Sequence, residues 1–149
     1  MSNNWNLEKI IKTLDKLKAN SKPLWGEMSA QRMVEHLTDT LQIANGKNPQ
    51  ELLIPEEKIE KMQAFLETDK PMARNIEVPF APKNKALRND EIEEAIDELV
   101  DEWLNFEEVY TSNPEHTEIH SFYGPLNYRQ WLLLNNKHLN HHFEQFGLI

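Results

Sequence analysis

Six histidines are the side chains here most able to do chemistry, and all but His36 fall in the last third of the chain: His116, His120, His138, His141 and His142. Neutral imidazole offers a nitrogen lone pair near pH 7, so clustered histidines can ligate a divalent ion. His138 and His142 are four residues apart, which places both rings on one helical face a single turn apart. Such a pair can share one ion but needs a third ligand from elsewhere. A surface or hydrogen-bonded pair has the same spacing. His36 is the only histidine on another long predicted helix. His141 lies three residues after His138 and competes with His142 for the ligand role, although the four-residue pair is favoured. His116 and His120 are also four apart. Pro114 and Gly124-Pro125 bracket them, which predicts hydrogen-bonded loop histidines instead of ligands.

Composition excludes several other chemistries. The 149 residues contain no cysteine, so disulfides, thiolate metal sites and a cysteine nucleophile are absent. A net charge of −9 argues against nucleic acid and anionic membrane as partners, because both reward basic patches. The polar start, Met1-Ser2-Asn3-Asn4-Trp5, lacks a secretory pattern, and no apolar run approaches a membrane span, so cytoplasm is the expected location. The length suits one domain, residues 1–149, with one core.

The elements that must position the histidines read as helices. Apolar residues recur at helical spacing over 5–19, 29–45, 90–111 and 127–146, and β-branched residues never alternate as in a strand. Ser29 is suited to cap the second helix, and Asn127 with Gln130 forms a capping-box pattern before the last. Between the second and third long helices, residues 47–88 hold Pro49, Pro55, Pro71, Pro79 and Pro82. This stretch reads as a long crossover with one short helix near 56–67 and little other regular structure. The acidic residues 91–102 read as the solvated face of the third helix. The fold class expected is all-α, a four-helix bundle with a long crossover. That crossover would make the second and last helices antiparallel. His36 would then lie about 10 Å from the start of one, level with His138 and His142, about 13 and 7 Å from the end of the other.

Two segments resemble a known family. The final helix reads His138-Leu-Asn-His141-His142-Phe-Glu-Gln145, similar to the H-x-x-H-H-x-x-Q pattern that closes the bundle in the DinB-like (YfiT-like) superfamily of metalloenzymes. Trp25-Gly-Glu-Met-Ser-Ala-Gln-Arg-Met-Val-Glu-His36-Leu resembles the segment carrying that family's first histidine, and Tyr123 to Trp131 with Asn136-Lys-His138 resembles one branch of it. The resemblance implies an up-down-down-up course, a metal site with His36, His138 and His142 as first, second and third ligands, and a homodimer. It also implies hydrolase or thiol-dependent transferase or isomerase chemistry on a small molecule.

Three histidine ligands leave positions open to water or substrate, as a catalytic site requires. Zinc and nickel suit imidazole best, and iron is the third choice. Asn135, Gln145 and Tyr128 are candidates to orient a ligand, against a purely structural hydrogen-bonding role. Met33, Leu37, Trp131 and Leu134 are expected to line or support the site and keep it dry. The competing functions are a non-catalytic metal or small-ligand binder, and a bundle whose histidines are merely packed.

Overall fold

The structure is a computed structural model that describes residues 4–74 and 85–149. Five α-helices and one small hairpin make up its regular elements: α1 Leu7–Leu14, α2 Ala30–Ala44, α3 Ile59–Leu66, α4 Ile92–Ser112 and α5 Tyr128–Gln145, with β1 Glu118–His120 and β2 Gly124–Leu126. A 3-10 turn, Glu56–Lys58, leads into α3. The caps form as their residue types predict. Ser29 Oγ accepts from the Arg32 amide at 3.0 Å. Asn127 Oδ1 accepts from the Gln130 amide at 2.9 Å, and Gln130 Oε1 accepts from the Asn127 amide at 3.0 Å.

Two expectations need correction. The first helix, expected over 5–19, ends at Leu14. Beyond it the amides of Lys16 and Leu17 bond three residues back, to Thr13 and Leu14, so the chain tightens into turns. Leu17 is still buried. The apolar period reported burial there, not helical hydrogen bonding. The second correction is the hairpin within the expected loop 111–126, which makes the fold mostly helical and not strictly all-α. Each strand has three residues, too few for an alternating pattern to register.

The helix ends show how the elements meet. Gln31 Nε2 donates to the Asn89 carbonyl at 2.7 Å, so α2 and α4 begin together. Tyr110 Oη donates to the Ala44 carbonyl at 2.7 Å, so they end together. The start of α2 meets the end of α5, where the Leu24 amide donates to the Gln145 carbonyl at 2.6 Å. The segment leading into α1 lies on α5 through Trp5, whose amide reaches Asn136 Oδ1 at 3.1 Å and whose indole reaches Asn140 Oδ1 at 2.7 Å.

Helix α2 is buried on nearly every side, its charged Arg32, Glu35 and Asp39 included. The acidic face of α4 is mostly solvated, as expected. Glu93, Glu94, Asp97 and Asp101 are exposed, whereas Glu102 is buried beside Lys47 Nζ at 2.5 Å. The crossover packs tightly where it is described. Gln63 Nε2 donates to the carbonyls of Tyr123 and Pro125, each at 3.0 Å, joining α3 to the hairpin. Lys137 Nζ donates to the carbonyls of Thr68 and Lys70, each at 2.6 Å, and ties the strap 67–74 to α5. Pro79 and Pro82 lie outside the described residues. Among the described residues no helix is long and apolar enough to cross a membrane.

Gly124 is where the hairpin tolerates least change. Its φ is +77°, and a Cβ there would sit 3.0 Å from Ile59 Cγ2 on α3. Both the left-handed backbone and the close approach favour glycine. Gly124→Ala is expected to destabilise the fold by about 1–3 kcal/mol. A urea midpoint equal to that of the parent protein would contradict this packing.

Candidate metal centre

The middle of α2 and the last two turns of α5 bring three imidazoles to one point. His36 Nε2 is 2.9 Å from His138 Nε2, which is 3.1 Å from His142 Nε2. The ring centroids are 4.6 Å, 4.8 Å and 4.7 Å apart, and every pair meets edge to face. Among the described residues these three form the one group of histidine or acidic side chains placed to share an ion, and no carboxylate joins them. The expectation that His36 lies level with the α5 pair holds in this geometry.

The hydrogen-bond pattern fits a cation. Gln145 Nε2 donates to the Trp25 carbonyl at 3.1 Å, which turns Gln145 Oε1 toward His142 Nδ1 at 2.7 Å. A carbonyl oxygen only accepts, so Nδ1 carries the proton and His142 Nε2 presents a lone pair to the cluster. Between His36 and His138 the facing nitrogens can share at most one proton. At least two lone pairs therefore converge, an arrangement that a divalent ion satisfies. Gln145 fixes the tautomer and direction of His142, the role an outer partner plays around a ligating imidazole.

Burial keeps these rings neutral. Desolvation, then the positive charges of Arg32, His141 and Lys85, push His36 down to about 3. Desolvation first, with neighbouring imidazoles second, also holds His138 and His142 well below the usual histidine value. His36 is half-buried, while His138 and His142 are buried. A neutral imidazole is the ligating form.

The other candidate residues separate cleanly. His141 hydrogen-bonds the Met72 backbone and packs edge-on against Trp25 at 5.7 Å, which engages its ring outside the trio. His116 pairs with Glu118 at 2.5 Å beside Tyr110. His120 is buried against Tyr123 and Trp131, and its Nδ1 accepts from the Phe122 amide at 3.1 Å. Tyr128 Oη donates to Glu107 at 2.7 Å, a structural bond between α5 and α4. Asn135 lines a cavity of about 10 Å3 with His138, Leu37 and Trp103, and among the described residues its Nδ2 has no hydrogen-bond partner. Of the four expected wall residues, Leu37 therefore borders a trio member. Met33 and Leu134 are buried core residues, and Trp131 packs by His120 two turns before His138.

Sequence reasoning assigned no role to Arg32 or to the Trp25 carbonyl. Arg32 is one turn before His36, and its Nη2 reaches Asp39 Oδ2 at 2.7 Å, so the guanidinium runs along the same face of α2. The four-residue spacing from His36 was the available signal.

These neutral histidines predict a pH dependence of the metal-free protein. Each binds fewer protons folded than unfolded between its lowered pKa and about 6.5. Stability is therefore intact above about pH 6.5 and falls as pH drops below it, by up to about 2 kcal/mol per buried imidazole at pH 5. Urea unfolding at pH 7 and pH 5 measures this, and His36→Gln should flatten the difference. Equal stability at both pH values would show that the trio is not held neutral.

Comparison with known proteins agrees with the geometry. The sequence profile of the DinB superfamily matches residues 5–146, a span holding all three histidines. Searches of curated proteins and of solved structures gave no significant match. The match covers nearly the whole chain and both helices that carry the trio, and the chain belongs to the DinB superfamily.

Proposed function

We propose that this DinB superfamily protein is a metal-dependent enzyme of the hydrolase or thiol-dependent transferase or isomerase type, with His36, His138 and His142 as ligands. The observation that carries the reading is the meeting of three Nε2 atoms from two helices with no carboxylate among them. Zinc or nickel suits such a donor set best, with iron the third choice. A divalent ion bound there would acidify a water or thiol and polarise a carbonyl. The chain's own contribution is orientation and dryness. Gln145 aims the His142 lone pair, burial keeps the ligands deprotonated, and the Met72 backbone holds the His141 ring. A small molecule or a thiol would be the substrate.

The same reading takes the chain as one four-helix domain with an up-down-down-up course, working as a cytoplasmic homodimer. Support for the course comes from the helix ends, since α2 and α4 begin and end together while α2 begins where α5 ends. One observation favours a second reading, a non-catalytic metal or small-ligand binder. His138 and His142 are only 9% and 6% exposed, and the cavity beside His138 is about 10 Å3, room for a water and not for an organic substrate. Turnover of a panel of esters, amides and thiol acceptors by metal-loaded protein separates the two.

Protein purified without a histidine tag should bind zinc or nickel and gain about 2.7 kcal/mol of stability at a hundredfold excess over Kd. A chelator should remove that gain. His138→Ala should abolish chelator sensitivity, and His116→Ala should leave it intact. Burial of the ligands predicts that the folded protein keeps its affinity below pH 6.5, where free histidines would be protonated. If His141→Ala loses the ion and His142→Ala keeps it, the ligand set is wrong. If the parent protein takes up none of these ions, the metal reading fails.

A further inference from the structure

A cleft of about 190 Å3 lies between the outer face of α5 and the strap 67–74, with Trp25 in its wall. Lys137, His141 and Glu144 line it from one face of α5, where their spacing of four and three residues places them. His141 links the cleft to the trio, because its ring centroid is 4.8 Å from that of His142. The volume is below the usual range for drug-sized ligands and suits a smaller molecule.

Arg74 is the one arginine without an ion pair among the described residues. Lys70, Arg74 and Lys137 all face the cleft, and among the described residues none of the three forms an ion pair. Elsewhere Arg32, Lys85, Arg88 and Arg129 are each paired to a carboxylate, as a chain of net charge −9 readily allows. The Arg74 guanidinium lies 3.7 Å over the Trp25 ring. A stacked guanidinium keeps its in-plane N–H groups for an acceptor, and their fork matches a carboxylate. Asp69 and Glu144 also line the cleft, which disfavours a dianion. Pro71, Met72 and the Trp25 ring offer apolar surface for the rest of a ligand.

We propose that this cleft binds the carboxylate of a small monoanionic organic acid, with the Arg74 guanidinium, stacked on the Trp25 ring, as its donor. As a substrate class this rests on reading the chain as an enzyme, but the binding itself does not require the ion.

Benzoate is the probe, with benzamide as its neutral counterpart and inorganic phosphate as the dianion. Each is titrated into chelator-treated and zinc-loaded protein while the indole N–H signals are followed by NMR, with Trp25→Phe assigning the Trp25 signal. Benzoate should bind both forms and move that signal, with benzamide and phosphate weaker by about tenfold. Arg74→Gln should weaken benzoate by about tenfold and leave zinc binding unchanged. Equal affinity for benzoate and benzamide, no binding of either, or undiminished binding by Arg74→Gln overturns the proposal. So does benzoate binding confined to zinc-loaded protein with the Trp25 signal unmoved, because the anion would then sit on the ion. Benzoate binding by a protein that takes up neither zinc nor nickel would sink the metal reading and uphold this one.

Discussion

A helix buried on nearly every side cannot leave its charges alone, and α2 is such a helix. Breaking a buried ion pair costs about 3–5 kcal/mol, more than most single contacts contribute. Arg32 therefore bonds Asp39 along its own helix at 2.7 Å. Glu35, fully buried, takes the amides of Arg88 and Asn89 at 2.8 and 3.1 Å. Arg88 also reaches Asp39 at 2.6 Å and Glu98 at 2.7 Å. These bonds fix where the crossover returns and where α4 begins. They also hold the turn of α2 that carries His36. The satisfaction of one buried polar helix thus sets the position of the histidine trio.

The trio follows the opposite electrostatic logic. His138 and His142 are buried and His36 half-buried, with no carboxylate in the group to stabilise a charge, so the rings stay neutral. Arg32 serves both arrangements. Its pairing with Asp39 brings a positive charge alongside His36, which adds to desolvation in keeping that ring unprotonated. Gln145 completes the arrangement from the other side, linking His142 to the backbone just before α2. Segments far apart in sequence are thereby tied to the same point.

The connections support this centre in specific ways. Lys137 holds the strap 67–74 against α5 through two backbone carbonyls. That strap presents the Met72 backbone to His141 and Arg74 to Trp25. At the other end of α5 the hairpin and α3 share Gln63 and the close approach of Ile59 to Gly124. There His116, His120 and Tyr128 bond to neighbours of their own, which explains why a histidine-rich third of the chain yields one three-histidine group among the described residues.

Local signals determined much of this protein. The helical period located α2, α4 and α5 to within a few residues, because an amphipathic face repeats every 3.6 residues whatever it packs against. Ser29 and Asn127 marked helix starts because a capping side chain bonds its own backbone. The four-residue spacing put His138 and His142 on one face. The early end of α1 and the short hairpin were not legible, since three-residue strands and a change from four- to three-residue bonding leave no periodic trace. Other outcomes belonged to the tertiary structure alone. These are the burial of α2's charges, the alignment of Gln145 by the Trp25 carbonyl, the engagement of His141 with Met72, and the cleft over α5. Each depends on which distant group arrives next to a side chain, and residue spacing along the chain carries no record of that.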